Sequence, residues 1–385
     1  MKIQLMNKIA ACGTKKFDPA LYEVGTDLEN PDGIMVRSAS LLDMEFGENL
    51  LGIARAGAGV NNIPIDRCTE KGIVVFNTPG ANANAVKELA VAALLLASRN
   101  IVGGIAWAQG LKENVAASVE KGKSQFAGHE LKGKTLGILG LGAIGGMLAN
   151  TAVALGMDVI GCDPYLSVSA AMALDPHVRV VESYDALFAQ ADYLSIHVPA
   201  MPTTNGMINA EAISKMKDGV RILNLARDTL VVAKDVKDAL ASGKVSVYVT
   251  DFPTEEVIGV PGIIPIPHLG ASTEESEDNC ARMAAAQLDD YLRNGNITNS
   301  VNYPAVSAEF TDAARLCISH ENVPGMLAKI TEKVSAAGLN IEHMVDKSKK
   351  NQAYLILDFS IVPSDDLVRE LGRMENVNRV RLITK

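Results

Sequence analysis

The stretch Gly133–Tyr165, GKTLGILGLGAIGGMLANTAVALGMDVIGCDPY, constrains the fold of this chain more than any other. Leu136, Ile138 and Leu139 form a short apolar run of the kind a buried parallel strand shows. Gly140, Gly142 and Gly145 follow in G-x-G-x-x-G spacing, and Met147, Leu148, Val153 and Leu155 continue in a helical pattern. A second apolar run, Val159 and Ile160, ends at Asp163, 18 residues beyond Gly145. Strand, glycine turn, helix, strand and terminal acid are the parts of a dinucleotide-binding unit, in order. Gly140 permits the tight turn, Gly142 lets the backbone approach a pyrophosphate, and Gly145 lets helix and strand pack closely. The helix start, with Ala143 and Ile144, offers free N–H groups and partial positive charge to phosphates. Asp163 can accept hydrogen bonds from both hydroxyls of an adenosine ribose and would repel a 2′-phosphate, so NAD is favoured over NADP.

The remaining bulk properties bound the answer. A length of 385 residues predicts two or three domains, and 48% hydrophobic residues is ample for their cores. A net charge of −9 argues against a nucleic-acid surface. The N-terminus MKIQLMNKIAACG is too weakly apolar for a signal peptide, and no apolar run reaches the length of a membrane span. Cys12, Cys68, Cys162, Cys280 and Cys317 are scattered without a C-x-x-C pair and read as free thiols of a cytoplasmic protein. The six histidines share no metal-ligand spacing, so no metal is expected.

Glycine-bounded strands alternate with helical patterns from about residue 33 to 270, which argues for an α/β fold. Because the fingerprint begins only near residue 133, a first domain precedes it. We place the boundaries at 1–98 with 290–308 for a discontinuous first domain, 99–289 for the nucleotide domain and 309–385 for the last. The helix expected over Val86–Asn100 is apolar nearly all round, which predicts burial between domains. A helix is expected over Asp278–Arg293, a turn at Asn294–Asn296, and a return strand with linker over 300–308. From Arg315 the order becomes strand, helix, strand, strand, helix, strand, which fits a small ferredoxin-like α+β domain. Apolar residues alternate in its YLILDF segment.

A hydride exchange with a 2-hydroxy acid needs a base for the hydroxyl proton, a partner that orients that base, and a cation for the carboxylate. Candidates should lie at strand C-terminal ends, where ligands sit in open α/β sheets. Arg227 follows the strand RILNLA, and its planar fork suits a carboxylate. His268 stands in IPIPHLGAST, and imidazole exchanges protons near neutrality. Glu255 and Glu256 follow VYVTDFPT, and either could pair with His268 and raise its pKa.

Asn224–Arg227 (NLAR), the acidic turn after Asp251, and Pro267–Thr273 (PHLGAST) resemble the D-isomer-specific 2-hydroxyacid dehydrogenase family. That resemblance implies that Arg227 binds substrate, that His268 is the acid–base group, and that a glutamate tunes it. The family pattern D-x-x-x-x-E, counted from Asp251, selects Glu256, whereas matching the F-P-T-E string selects Glu255; the first needs no gap and is preferred. The resemblance also places His197, Val198, Pro199, Thr204, Ala226 and Gly270 beside the cofactor, and Asp251 near the nicotinamide amide. Two positions depart from the family. Asp228 stands where a glycine follows the arginine, and Val232 replaces a common acid. The first puts a carboxylate beside the substrate-binding cation.

In the first domain, VRSAS (Val36–Ser40), RAGAGVNNI (Arg55–Ile63) and FNTPGANANAVKEL (Phe76–Leu89) resemble the phosphoglycerate dehydrogenase branch of that family. Gly57, Ala58 and Gly59 can present N–H groups to a carboxylate. Arg37, with Ser38 beside it, and Arg55 suit a phosphate, the alternative for both arginines being a structural ion pair. Lys87 is a further candidate cation. HENVPGMLAKIT (His320–Thr331) with GLNI (Gly338–Ile341) resembles ACT regulatory domains, which implies a serine effector at His320, Asn322 and Asn340. The resemblance thus implies two Rossmann-like doubly wound domains and an ACT domain in a homodimer or homotetramer. It implies NAD as cofactor and 3-phosphoglycerate as substrate, in the first step of L-serine synthesis. A glyoxylate or hydroxypyruvate reductase, and a non-catalytic NAD-sensing corepressor-like protein, are the alternative functions.

Overall fold

Parallel strands require a crossover connection, and the alternation of short apolar runs with helical segments supplies many of them. In the computed structural model, which describes residues 1–385, the outcome is two parallel sheets and one antiparallel sheet. The chain divides into two compact units, 1–82 with 277–385, and 83–276.

In the first unit, β1 (Lys2–Leu5), β2 (Glu23–Gly25), β3 (Gly33–Val36), β4 (Gly52–Arg55) and β5 (Val74–Phe76) form a sheet in the order β2-β1-β3-β4-β5. Every pair in it is parallel. The helix Glu274–Asn294 lays Ala284, Ala285, Leu288, Tyr291 and Leu292 against Ile3, Met35 and Ala54 of that sheet. Strand glycines allow the close fit, since a Cβ on Gly52 would meet Leu288 Cδ1 at 3.0 Å. This packing puts the helix in the first unit from residue 277, earlier than the boundary at 289/290 expected from sequence.

In the second unit, β6 (Thr135–Leu139), β7 (Asp158–Cys162), β8 (Arg179–Val180), β9 (Tyr193–Ile196), β10 (Val220–Asn224), β11 (Val245–Thr250) and β12 (Ile263–Pro265) are ordered β12-β11-β10-β9-β6-β7-β8. All are parallel. The order reverses at β6, between β7 and β9, and a doubly wound sheet receives its ligand at the carboxyl ends flanking such a reversal. One face packs Leu139, Ile160, Leu194 and Ile222 into a first core. The other packs Leu136, Ile138 and Val159 against the helices Ala83–Ser98 and Ala143–Ala154. Ala90, Ala93, Leu94 and Ala97 are the contact residues of the first of these helices, which is why it joins the nucleotide-type sheet and the unit begins at residue 83. Its outer side leaves Leu95 exposed.

The last segment forms β13 (Ala314–Glu321), β14 (His343–Lys349), β15 (Gln352–Phe359) and β16 (Val377–Thr384), ordered β14-β15-β13-β16 and antiparallel throughout. The helices Met326–Ala336 and Asp365–Gly372 cover one face through Met326, Ile330, Val334, Leu367 and Leu371. This is the ferredoxin-like arrangement that the element order predicts. Tyr354 and Ile356 on the opposite face are buried as well, in the cluster that holds Ala284, Leu288 and Tyr291. The alternation in YLILDF therefore separates two cores rather than core from solvent.

That second buried face contains charge. Arg315 and Asp358 are both fully buried and form a bidentate pair, with Nε to Oδ1 at 2.6 Å and Nη2 to Oδ2 at 2.8 Å. Arg315 also donates to the carbonyls of Asn294, Ala308 and Glu309. Arg381 donates to the Tyr291 and Leu292 carbonyls, and Arg379 to those of Leu50 and Glu48. Arg315 and Arg381, on one sheet face, thus satisfy open carbonyls at the C-terminal end of Glu274–Asn294, where partial negative charge collects. Between helix and sheet, residues 300–308 form no strand. Isolated bridges join Phe76 to Ser300 and Ile297 to Val306. The Asn302 side chain completes the edge of β5 instead, accepting from Val75 N and donating to Ile73 O.

Replacing Asp358 by Ala leaves the Arg315 guanidinium buried without its counter-charge. We expect a loss of about 3–5 kcal/mol, read as a lowered denaturation midpoint, whereas exchanging both residues for apolar ones of similar volume costs far less.

Candidate functional site

At the carboxyl end of β6 the three fingerprint glycines do three different things. Gly140 has φ +87°, and a Cβ there would meet the His197 carbonyl oxygen at 2.8 Å and Val198 Cγ1 at 3.1 Å. Gly142 stands at the N-cap of the helix Ala143–Ala154, with nothing within 4 Å of where its Cβ would be. Gly145 faces back into the turn, and its Cβ would lie 1.9 Å from the Gly140 oxygen. The open space at Gly142, above the unpaired N–H groups that begin at Ala143 and Ile144, fits a dinucleotide pyrophosphate. Asp163 follows β7 directly. Its Oδ2 accepts from Leu141 N at 2.9 Å and its Oδ1 from Tyr165 N at 2.9 Å. These bonds hold the carboxylate at the mouth of the turn, and each oxygen keeps a lone pair for a ribose hydroxyl.

Across the reversal, β9 leads into His197, Val198 and Pro199. Burial pushes the His197 imidazole down to about 4, and its Nε2 lies 2.8 Å from Ser195 Oγ. The ring is therefore neutral at neutral pH and adds no positive charge to this end of the sheet. Thr204 spends its hydroxyl within the loop, donating to Pro199 O at 2.6 Å and accepting from Met201 N at 2.9 Å. These bonds shape the segment that carries Val198 and Pro199.

The ends of β10 and β11 hold the remaining candidates. Asn224 is fully buried and its amide ties the next turn, donating to Arg227 O at 2.8 Å and accepting from Ala226 N at 3.2 Å. Arg227 projects outward, its Nη1 on Ala226 O at 2.6 Å and its Cζ 5.8 Å from the Phe252 ring centre. Asp228 opens a 3-10 turn, Asp228–Leu230, with ordinary negative φ, so this backbone does not require the family's glycine. Asp251 is 1% exposed; burial raises its pKa while His268 and Arg227 pull it down. Its Oδ1 has no hydrogen-bond partner, and Oδ2 stands 3.3 Å from where a Cβ on Gly270 would be. An orphaned carboxylate oxygen suits the amide N–H₂ of a nicotinamide, so the residues present fit NAD from both of its ends.

His268 has φ +35°, in a region non-glycine residues seldom occupy, and its N–H is anchored on Asp251 O and Ile266 O, both at 3.0 Å. The strained turn directs the imidazole outward, where its ring lies 4.6 Å from that of Phe252 at 49°. No carboxylate lies within 4.0 Å of it, the paired histidines being His177, His320 and His343. Glu255 and Glu256 line one cavity with Asp228, Tyr248 and Phe252, while His268 and Asp251 line a neighbouring one. Sequence reasoning passed over Phe252, although an aromatic directly after the strand-end acid Asp251 is a signal in a chain with 4% aromatic residues.

In the first unit, Arg37 pairs with Glu277 at 2.7 Å, both about a third or more exposed, and Ser38 Oγ accepts from Asn7. Arg55 donates from Nε to Arg37 O at 3.2 Å, and its Nη1 lies 1.9 Å from where a Cβ on Gly57 would be. Gly57 has φ +153°; the carbonyls of Gly57 and Ala58 are tied to Thr78 N and Asn77 Nδ2, which fixes the 57–59 turn. In the second unit, Lys87 is 18% exposed, with Glu88 at 3.7 Å. On the antiparallel sheet, His320 is buried with Nδ1 on Glu321 O at 2.8 Å and Nε2 3.5 Å from Asp346. Asn322 donates to Lys350 O and Asn340 to Glu342, both at the surface. No hydrogen bond joins these three side chains.

Residues 91–271 match the family described as D-isomer specific 2-hydroxyacid dehydrogenase, NAD binding domain. A D-3-phosphoglycerate dehydrogenase of Methanocaldococcus jannaschii is 36% identical over 294 residues, 73% of this chain and 54% of its own. This chain therefore spans about half the length of that relative. D-3-phosphoglycerate dehydrogenase 1 of Saccharomyces cerevisiae is 31% identical over 407 residues, covering 95% of this chain and 83% of its own. Among solved structures, an NAD+-bound 3-phosphoglycerate dehydrogenase of Entamoeba histolytica superposes with TM-score 0.61 at 29% identity, over 78% of this chain and 98% of that one.

Two substitutions test the nucleotide end. Gly145→Ala forces the turn apart and should abolish NADH binding, followed by its fluorescence. Asp163→Ala should raise the KM for NAD and narrow the preference over NADP; unchanged discrimination would assign cofactor choice elsewhere.

Proposed function

The chain belongs to the D-isomer-specific 2-hydroxyacid dehydrogenase family, and from that membership we propose that it oxidises 3-phospho-D-glycerate to 3-phosphooxypyruvate with NAD, the first step of L-serine synthesis. The observation that carries the substrate is the length of the yeast match, 95% of this chain, which takes in the C-terminal antiparallel domain as well as the parallel sheets. Bound NAD would accept the hydride that leaves C2. His268 takes the hydroxyl proton as the C2–H bond breaks and the carbonyl forms, and returns it in the reverse direction. Arg227 offers a planar pair of donors to the carboxylate and to the oxygen that becomes the carbonyl. Asp251 orients the nicotinamide amide, and Glu256, or Glu255 in the other register, is assigned to support His268. The Gly57–Gly59 turn is assigned to the carboxylate, with Arg37 and Arg55 assigned to the phosphate. Serine is the proposed effector, at His320, Asn322 and Asn340.

The Arg37–Glu277 pair favours a second reading. An arginine already paired recruits a phosphate less readily, and a glyoxylate or hydroxypyruvate reductase has no phosphate to bind. NADH production from 3-phosphoglycerate, with and without serine and against an unphosphorylated 2-hydroxy acid, separates the two.

His268→Ala should retain NADH binding and lose roughly 10²–10⁴-fold in kcat; a variant within threefold of the parent would remove His268 from the chemistry. Arg55→Ala should lower kcat/KM for 3-phosphoglycerate by about ten- to hundredfold more than for the unphosphorylated acid, since charge-assisted bonds contribute about 1.5–3 kcal/mol. Equal losses on both substrates would make Arg55 structural.

A further inference from the structure

We propose that Phe252 is a positioning residue for the reaction, a fixed aromatic plate that sets both the His268 imidazole and the Arg227 guanidinium. The inference rests on the acid–base reading of His268 given above. The His268 backbone is held by two bonds from its N–H, but its ring has neither a carboxylate within 4.0 Å nor a side-chain hydrogen bond. What packs against the ring is Phe252, centre to centre at 4.6 Å with the two planes tilted by 49°. Arg227, whose Nη1 is tethered to Ala226 O, lies over the same aromatic ring at 5.8 Å. One side chain thereby sets the orientation of the proton-accepting group and of the carboxylate-binding group together. Phe252 is only partly buried, so its place here is not owed to the hydrophobic core.

The plate also acts electrostatically. The face of an aromatic ring carries negative potential and favours a cation over it. When His268 takes the substrate proton, the imidazolium forms beside that ring, with the centres 4.6 Å apart. The other charged groups toward His268 are Asp251 at the end of β11, which also favours the cation, Arg227, which opposes it, and Asp228, which lines the same cavity. All three remain when Phe252 alone is changed, so its contribution can be isolated.

The test compares Phe252→Met, which keeps bulk and apolar cover, with Phe252→Tyr, which keeps the aromatic face. F252M should lower kcat for oxidation roughly ten- to hundredfold while leaving NADH binding and the circular dichroism spectrum unchanged. With the aromatic face gone, protonation of His268 becomes less favourable. The acidic limb of kcat/KM against pH should therefore move to lower pH, by about half a pH unit. F252Y should restore both rate and limb. F252M with parental kcat and an unmoved limb would overturn the proposal, as would F252Y as impaired as F252M. His268→Ala, run beside them, separates the failures. If it is inactive while F252M is normal, only the positioning role falls; if it turns over normally, the acid–base reading falls and takes the positioning role with it.

Discussion

The second unit hangs on one close approach. The Cα of Gly145 comes so near the Gly140 carbonyl that a single methyl group would sit 1.9 Å from the oxygen. No rotamer relieves this, because both atoms belong to the backbone. The contact presses the helix Ala143–Ala154 onto β6 and leaves open space at Gly142. The same turn abuts the His197 backbone and the Val198 side chain, beside the β6–β9 pairing. The geometry offered to a dinucleotide follows from these contacts, with Asp163 tied to the turn through Leu141 N.

Around that edge, the candidate side chains are held in place by other polar groups. The buried Asn224 amide shapes the turn carrying Arg227, and the Asp251 carbonyl anchors the strained backbone of His268. Two costly features, an orphaned carboxylate oxygen at Asp251 and a histidine at positive φ, occur next to each other. Strain and unsatisfied polarity persist only where the surrounding structure over-determines them, and they gather at functional sites.

The first unit solves a different problem. Its antiparallel sheet is covered on both faces, and the face against Glu274–Asn294 meets a helix end with open carbonyls. Arg315 and Arg381 supply the donors there, Arg379 reaches the Glu48 and Leu50 carbonyls ahead of β4, and Asp358 neutralises Arg315, which is fully buried. The arrangement fixes the antiparallel domain to the sheet of β1–β5 through directional bonds as well as through apolar packing.

The chain's local chemistry was enough to determine the nucleotide turn, the α/β pattern, and the strand and helix order after Arg315. Glycine spacing, apolar periodicity and turn residues are short-range signals, and short-range geometry decides those features. Arg227 and His268 stand out in the sequence because each follows a strand, whereas Asp251 enters only through the family resemblance. Tertiary structure alone decided where Ala83–Ser98 and Glu274–Asn294 belong, because an apolar helix, or a helix with an apolar stripe of small residues, can pack on either sheet and only the fit of those residues chooses. The near-continuous apolar run YLIL fits a strand covered on both faces, and tertiary structure decided what covers each of them. It decided, too, that Phe252 packs against the His268 ring. That contact joins two loops whose approach depends on the strain at His268, and no spacing along the chain encodes it.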